Sequence, residues 1–193
     1  MIRIATEADI PQILAVYAPY VTDSAYTFEF TVPSEAEFTQ RFRQITSQFP
    51  WLVWEEDGRV TGYAYASAPF ARAAYAWCAE PSIYLAPESQ GKGAGKLLYA
   101  ALEAILSRQG YQLCYAIITS SNTGSLAFHK AVGYEFLAEF PDCGYKFQQC
   151  HSIIWLQKRL KSVEIPTDSP TPWPVFVKNN RNLPQILVEL TLS

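Results

Sequence analysis

The chain has 193 residues, 49% of them hydrophobic and 17% charged, which excludes wholesale disorder and supplies enough apolar mass for one compact domain or a domain with a tail. A net charge of −3 leaves no basic footprint for nucleic acid or an anionic membrane surface, and no apolar run approaches the roughly 20 residues that span a bilayer. The opening MIRIATEADI carries acids and no apolar signal core, so a cytoplasmic chain is expected.

Ile2 to Ile4 reads as a short strand. Thr6-Glu7-Ala8-Asp9 is a capping-box variant, and Ile10, Ile13, Leu14 and Tyr17 follow at helical spacing, so a first helix begins near Glu7 and gives way to a loop from Pro19 to Val32. Ser34 and Glu37 form a second box, ahead of a helix with Phe38, Phe42 and Ile45 on one face. The period then changes: Trp51 to Glu55, the Asp57-Gly58 turn and Val60 to Ala68 predict a hairpin. Tyr75 to Leu85 reads as extended up to Pro87. Gly91 to Gln109 reads as a helix with Gly110 beyond its end, Leu113 to Thr119 as a buried strand, and Thr123 to Val132 as a helix capped by Asn122 or a neighbouring Ser and ended by Gly133. Two closing strands are expected near Tyr134 to Phe140 and Tyr145 to Lys158. The order β-α-α-β-β-β-α-β-α-β-β predicts an α/β domain on a mixed sheet over residues 1–160. Pro166, Pro170, Pro172 and Pro174 mark 161–193 as a Pro-rich extension, with Ile186 to Leu192 apolar enough for a last strand.

Four cysteines, Cys78, Cys114, Cys143 and Cys150, include no C-x-x-C pair, and there are two histidines; free thiols and no metal site are expected. The most informative stretch is Ser82 to Lys96, SIYLAPESQGKGAGK, a strand, a break, a glycine-rich turn and a helix. A helix N-terminus offers unpaired N–H groups, and glycines let a phosphate approach the backbone. Walker A fails here because Gln90 and Leu97 stand at its first and last positions. The G-x-G-x-x-G pattern fails because Gly91, Gly93 and Gly95 recur every second residue. What remains is Gln90-x-x-Gly93-x-Gly95.

That turn lies between a strand and a helix, and a second, Asn-led helix follows, ending in Gly133-Tyr134. In this setting it resembles the acyl-CoA site of the GNAT N-acetyltransferase superfamily, and within it the phosphinothricin acetyltransferase-like branch. Tyr26-Thr27-Phe28, Pro50 to Val53, Arg72 to Trp77 with Glu80, Ser82 to Leu85, Asn122 and His129 to Tyr134 match in order. The resemblance implies a splayed sheet that admits the pantetheine arm of acetyl-CoA as cosubstrate, with no metal. Backbone groups around Ile83, Tyr84 and Leu85 would pair with the arm and supply an oxyanion donor. Gln90, Gly91, Lys92, Gly93, Ala94, Gly95 and Lys96 would hold the pyrophosphate, and Asn122 and Ser125 would form the opposite lip. For Asn122 a plain helix cap is the other reading.

An ammonium must lose a proton before it can attack a thioester. Glu80 is the matching base, although an ordinary carboxyl is a weak one unless buried or relayed through water. His129 stands where relatives place the acid for the departing thiolate, and could equally orient the thioester or simply pack in the core. Arg72 is a candidate clamp for an acceptor carboxylate, or a surface residue. Phe28 and Tyr75, with Tyr26, are candidate acceptor walls, or core. A covalent route through Cys78 has no histidine nearby in sequence. Relatives close with a segment resembling K-x-G-x-W-x-D, whereas Lys146 to Ser152 keep only the Lys; the departure falls on the acceptor half and not on the CoA half. The expected activity is direct acetyl transfer to the amine of a small amino acid or its analogue, by a homodimer that engages neither nucleic acid nor membrane. Another amine acceptor, such as a polyamine, an aminoglycoside or a protein N-terminus, and a non-catalytic acyl-CoA-binding module are the alternatives.

Overall fold

The computed structural model describes residues 1–162, 165 and 168–192, the last four by backbone alone. Strand β1 (Ile2–Ile4) leads through a 3-10 turn at Glu7–Asp9 into α1 (Ile10–Thr22), with the Thr6 amide donating to the Asp9 carboxylate at 2.8 Å. The helix passes through Pro19 instead of ending there. Asp23 N–H still reaches the Pro19 carbonyl, and the Thr22 and Ser24 hydroxyls donate to the Ala18 and Tyr20 carbonyls, so the last turn stays bonded although Pro19 has no N–H to offer Ala15. Helix α2 (Glu35–Thr46) starts at Ser34, whose hydroxyl accepts from Glu37 N–H while the Glu37 carboxylate receives the Ser34 N–H.

The hairpin β2 (Trp51–Glu56) and β3 (Arg59–Ser67) turns at Asp57-Gly58, both with positive φ, as the two-residue turn requires. Strand β4 (Cys78–Leu85) is shorter than the pattern predicts: Ala73–Tyr75 is a 3-10 turn. Helix α3 likewise runs Ala94–Gln109 and not from Gly91, because Gly91 and Gly93 hold φ +72° and +87°, outside the helical region. Strand β5 (Leu113–Thr119) and helix α4 (Thr123–Ala131) follow as predicted. The closing pair is β6 (Glu135–Lys146) and β7 (Gln149–Arg159), joined by Phe147-Gln148 at φ +51° and +59°. Tyr145 and Lys146 therefore belong to the first of the two strands, not the second.

The seven strands lie in the order β1-β2-β3-β4-β5-β7-β6, all neighbours antiparallel except β4 and β5. Those two pair only at Cys78–Leu113 and Ala79–Cys114, and then part. The mixed, splayed α/β sheet expected from the sequence is thus present. Alternation along the strands divides two cores: Trp51, Val53 and Tyr63 face α1 and α2, whereas Leu52, Ala64 and Ala79 face Leu98, Leu102 and Leu106 of α3.

The expected last strand is instead a helix. Residues Trp173–Asn179 form α5 and Leu183–Leu192 form α6, and Trp173, Phe176, Leu183 and Leu187 are buried in the α3-side core. Thr171 N–H donates to the Gln109 carbonyl at 2.7 Å and Trp173 N–H to Gln48 at 3.0 Å, so the extension is stitched to the ends of α2 and α3. Among the described residues no helix is long and apolar enough to cross a membrane, and no cluster of His, Cys, Asp or Glu is arranged to hold a metal.

Candidate active site

Where β4 and β5 part, a cleft opens through the sheet. Its wider portion, about 480 Å³, runs along Ile83 and Leu85 to Gln90, Gly91, Gly93, Gly95 and Lys96, and faces Asn122 and Ser125 across the gap. Its narrower portion, about 70 Å³, reaches Glu80, Ser82 and His129. Tyr20, Tyr26, Ile83, Asn122 and Ser125 line both, so the two are one passage.

The glycine turn has the shape an anion needs. A Cβ built on Gly91 or Gly93 meets nothing within 4 Å, so the backbone borders open space. The first helical bond of α3 runs from Leu97 N–H to the Gly93 carbonyl, so the amides of Ala94, Gly95 and Lys96 precede the hydrogen-bonded ladder. Gly95 allows a close approach: a Cβ there would lie 3.2 Å from Leu85 Cδ1, which would have to give by a few tenths of an ångström. This turn fits a pyrophosphate. Lys92 and Ala94 do not line the cleft, although Lys92 is exposed on the same turn.

Opposite, Asn122 caps α4, its Oδ1 accepting from Ser125 N–H at 3.0 Å, and it also lines both portions of the cleft. Cap and lip are the same residue. The edge of β4 at Leu85 is engaged by a residue that sequence reasoning missed. The Tyr20 hydroxyl donates to the Leu85 carbonyl at 2.7 Å and stands 3.3 Å from its N–H, with Gln90 Nε2 also at 3.3 Å. Tyr20 is one turn beyond Tyr17 on α1 but 65 residues from Leu85 in sequence. No local signal links them.

Glu80 is half-buried on β4, and burial alone pushes its carboxyl above the ordinary range. That is the direction a base for an ammonium requires. Ser82 and Tyr84 follow it on the same side of the strand, and Tyr84 joins the packed rings of Tyr17, Tyr20 and Tyr63.

His129 is 4% exposed, on the inner face of α4. Its Nδ1 lies 2.8 Å from the Ser125 carbonyl, which can only accept, so Nδ1 carries the proton. Nε2, 2.9 Å from the Tyr99 hydroxyl, is then the acceptor of that bond. Burial lowers the pKa of the ring, which agrees with a neutral imidazole whose only N–H is committed. Tyr99, fully buried on α3, is a second member that the sequence reading missed.

Arg72 and Tyr75 are not in the wall of this cleft. They line a separate cavity of about 590 Å³, with Phe70, Cys78, Tyr111 and Pro170 among its other walls. Cys78 on its wall and Glu80 in the cleft alternate onto the same side of β4, about 7 Å apart for two strand residues, but the two linings share no residue. The Cys78 thiol is pushed up by burial, away from the reactive thiolate. Phe28 also stands outside the cleft wall, its ring against the backbone of Gly144 and 6.1 Å from the His151 ring.

Comparison with known proteins agrees with this geometry. A family described as Acetyltransferase (GNAT) domain matches residues 2–155. The chain is 32% identical over 163 residues to the phosphinothricin N-acetyltransferase of Alcaligenes faecalis, covering 83% of each chain. It is 30% identical over 166 residues to the L-methionine sulfoximine/L-methionine sulfone acetyltransferase of Salmonella typhimurium, covering 86% of this chain and 97% of that one. A crystal structure of a GNAT superfamily phosphinothricin acetyltransferase from Sinorhizobium meliloti, in complex with acetyl-CoA, superposes with a TM-score of 0.85 at 36% identity, covering 91% of this chain and 97% of that one. A splayed β4–β5 gap, a glycine turn ahead of a helix and a half-buried carboxyl on β4 are thus carried by a chain that belongs to the GNAT acetyltransferase family, on its phosphinothricin acetyltransferase-like branch.

Proposed function

We propose that the protein acetylates the primary amine of a small amino acid or amino-acid analogue, phosphinothricin- or methionine-sulfoximine-like, by direct transfer from acetyl-CoA. The observation that carries this reading is the single passage joining the glycine turn to Glu80 through the parted strands. Amides of the turn would hold the pyrophosphate, and the edges of Ile83 and Leu85 the pantetheine, with the Tyr20 hydroxyl giving way at Leu85. Acetyl-CoA supplies an acetyl group already activated as a thioester.

Glu80 takes one proton from the incoming ammonium. The neutral amine then forms the C–N bond as the C–S bond breaks, and the second proton on nitrogen passes to sulfur, which leaves as the thiol. His129, neutral and held between Ser125 and Tyr99, serves this reading as an orienting group and not as the thiolate's acid. The acceptor's amine would sit at Glu80 and its carboxylate reach past Cys78 toward Arg72, with Tyr75 as a further wall; Phe28, which lines neither cavity, would act only from behind, through its packing on Gly144. Among the described lining residues of the cleft Glu80 is the one carboxylate, which suits a small acceptor better than a polycation.

The enzyme is read as cytoplasmic, in keeping with four free thiols, and as a homodimer. The outer strand β6 and the turn after it expose Phe136, Leu137, Phe140, Tyr145 and Phe147, which supports a second copy on that edge. The test of function is thiol release from acetyl-CoA over a panel of amino acids, sulfoximines, phosphinates and polyamines, for wild type beside Glu80→Gln. Turnover of the amino-acid set that falls at least 100-fold in the variant, with CoA binding kept, is the expected result. Turnover of polyamines alone would overturn the acceptor class.

A further inference from the structure

We propose that Lys146 is a positioning residue. From the end of β6 its ammonium fastens the segment after α1 and so sets the acceptor side of the cleft; this rests on the acetyl-transfer reading. Lys146 is 2% exposed. Its Nζ donates to three backbone carbonyls, of Val21 at 2.7 Å, Ser24 at 2.8 Å and Thr27 at 2.8 Å. An ammonium has three donors, and here all three are used. Burying such a group is unfavourable unless each donor finds a partner, so the arrangement holds only with the segment in this one place.

Two further contacts restrain the same stretch. The Thr119 hydroxyl donates to the Ala25 carbonyl at 2.8 Å, and the Tyr17 and Thr27 hydroxyls lie 2.9 Å apart. Between Ala25 and Thr27 stands Tyr26, which lines both portions of the cleft. Two residues after Tyr26, the Phe28 ring occupies the place a side chain would take at Gly144, where a Cβ would come within 2.2 Å of it. Gly144 lies two residues before Lys146 on β6, so one strand holds the segment twice, by charge and by shape. The clamp touches nothing in the glycine turn. Of the segment only Tyr26 also borders the wider portion, at its junction with the narrower one, so releasing the clamp should impair use of the acceptor far more than that of CoA.

The variants are Lys146→Met, which keeps the length of the side chain and removes its donors, and Gly144→Ala, which displaces Phe28 and leaves the ammonium intact. Hydrogen exchange of the amides in 22–30 is measured with CoA affinity, and with kcat and KM for the best acceptor of the amine panel. The expected result is exchange at least tenfold faster in 22–30, acceptor kcat/KM at least tenfold lower through KM, and CoA Kd within twofold of wild type. A folded variant with unchanged exchange, or with acceptor kcat/KM within twofold of wild type, overturns the proposal. If Lys146→Met loses CoA binding together with its fold, Gly144→Ala decides, and a loss of both there would make the contact a folding element instead. Should the wild type turn over no amine, the acetyl-transfer reading fails by itself, and unchanged exchange in 22–30 would still overturn the clamp.

Discussion

Glu80 combines two demands that oppose each other. A carboxyl that is to take a proton from an ammonium, as proposed for Glu80, has to bind protons more tightly than one in water, and partial burial on β4 shifts it in that direction. The same burial penalises the ionised form in the folded state alone. Below the unfolded pKa, near 4.3 for a free Glu side chain, both states are protonated and nothing is lost. As pH rises through the higher folded pKa, the native state has to ionise a partly desolvated group, and stability declines relative to a neutral residue. Glu80→Gln should therefore melt at a higher temperature than wild type at pH 8, with the gap closing toward pH 4. Its residual turnover should lack the acid limb expected for wild-type kcat/KM, a limb that burial of Glu80 displaces above the ordinary carboxyl range. Calorimetry from pH 4 to 8 beside a pH–rate profile checks both, and a lower melting temperature for the variant at pH 8 would remove the buried-base argument. His129 differs in kind: its proton is engaged by Ser125 and its lone pair by Tyr99, so it has no free proton to give.

At the scale of elements, the C-terminal extension has more weight than its composition suggests. Trp173 is 5% exposed, stacks on Phe176 with ring centroids 6.0 Å apart, and shares the α3-side core with Phe49 and Tyr111, which follow the ends of α2 and α3. Truncating a buried Trp to Ala costs about 3–5 kcal/mol, which in a domain of this size corresponds to a fall of roughly 10 °C in Tm. Trp173→Ala should lose that much while keeping CoA affinity, since α5 is remote from the glycine turn; a change below 2 °C by thermal denaturation would show the extension to be an appendage. The prolines explain why the sequence reads as linker there. Pro172 precedes α5, and Pro174 and Pro184 occupy the first turns of α5 and α6, where a missing N–H carries no penalty. Elsewhere local signals sufficed: the Ser34–Glu37 box, the Asp57-Gly58 turn and Gly110 after α3 each encode their element within four residues. The Phe147-Gln148 turn could not be read in this way, because it places two non-glycine residues at positive φ where Asn-Gly would announce a hairpin. The cofactor half of the site was legible because glycines are required where φ is positive or the backbone must come close. The long-range contacts around it were not, because they join Tyr20 to Leu85 and Lys146 to Val21 across 65 and 125 residues.

Over the whole molecule, the sheet has two unlike ends. The β1 end is covered, with α6 packing beside Ile2 through Leu183 and Leu187. The β6 end is open: no further strand pairs with it among the described residues, and Phe136, Leu137, Phe140, Tyr145 and Phe147 are all more than 40% exposed along the strand and its turn. An apolar edge strand left in water invites pairing, and natural chains usually blunt such an edge with charge or proline. Here Pro141 stands within β6, and the register shifts between Phe140 and Gly144, which interrupts continuous backbone pairing along the edge. A second copy would therefore be held by side chains more than by an extended sheet. Sedimentation equilibrium at tens of micromolar should return twice the chain mass of 21.7 kDa. Phe136→Glu with Phe140→Glu should return the chain mass itself, because two carboxylates brought to the interface on each copy would have to be buried unpaired. These positions lie outside the clamp at Gly144 and Lys146, so the monomer should keep its CoA affinity. A wild type that sediments as a monomer would leave the β6 edge without the second copy proposed for it, and a dimer that survives both substitutions would place the interface elsewhere on the surface.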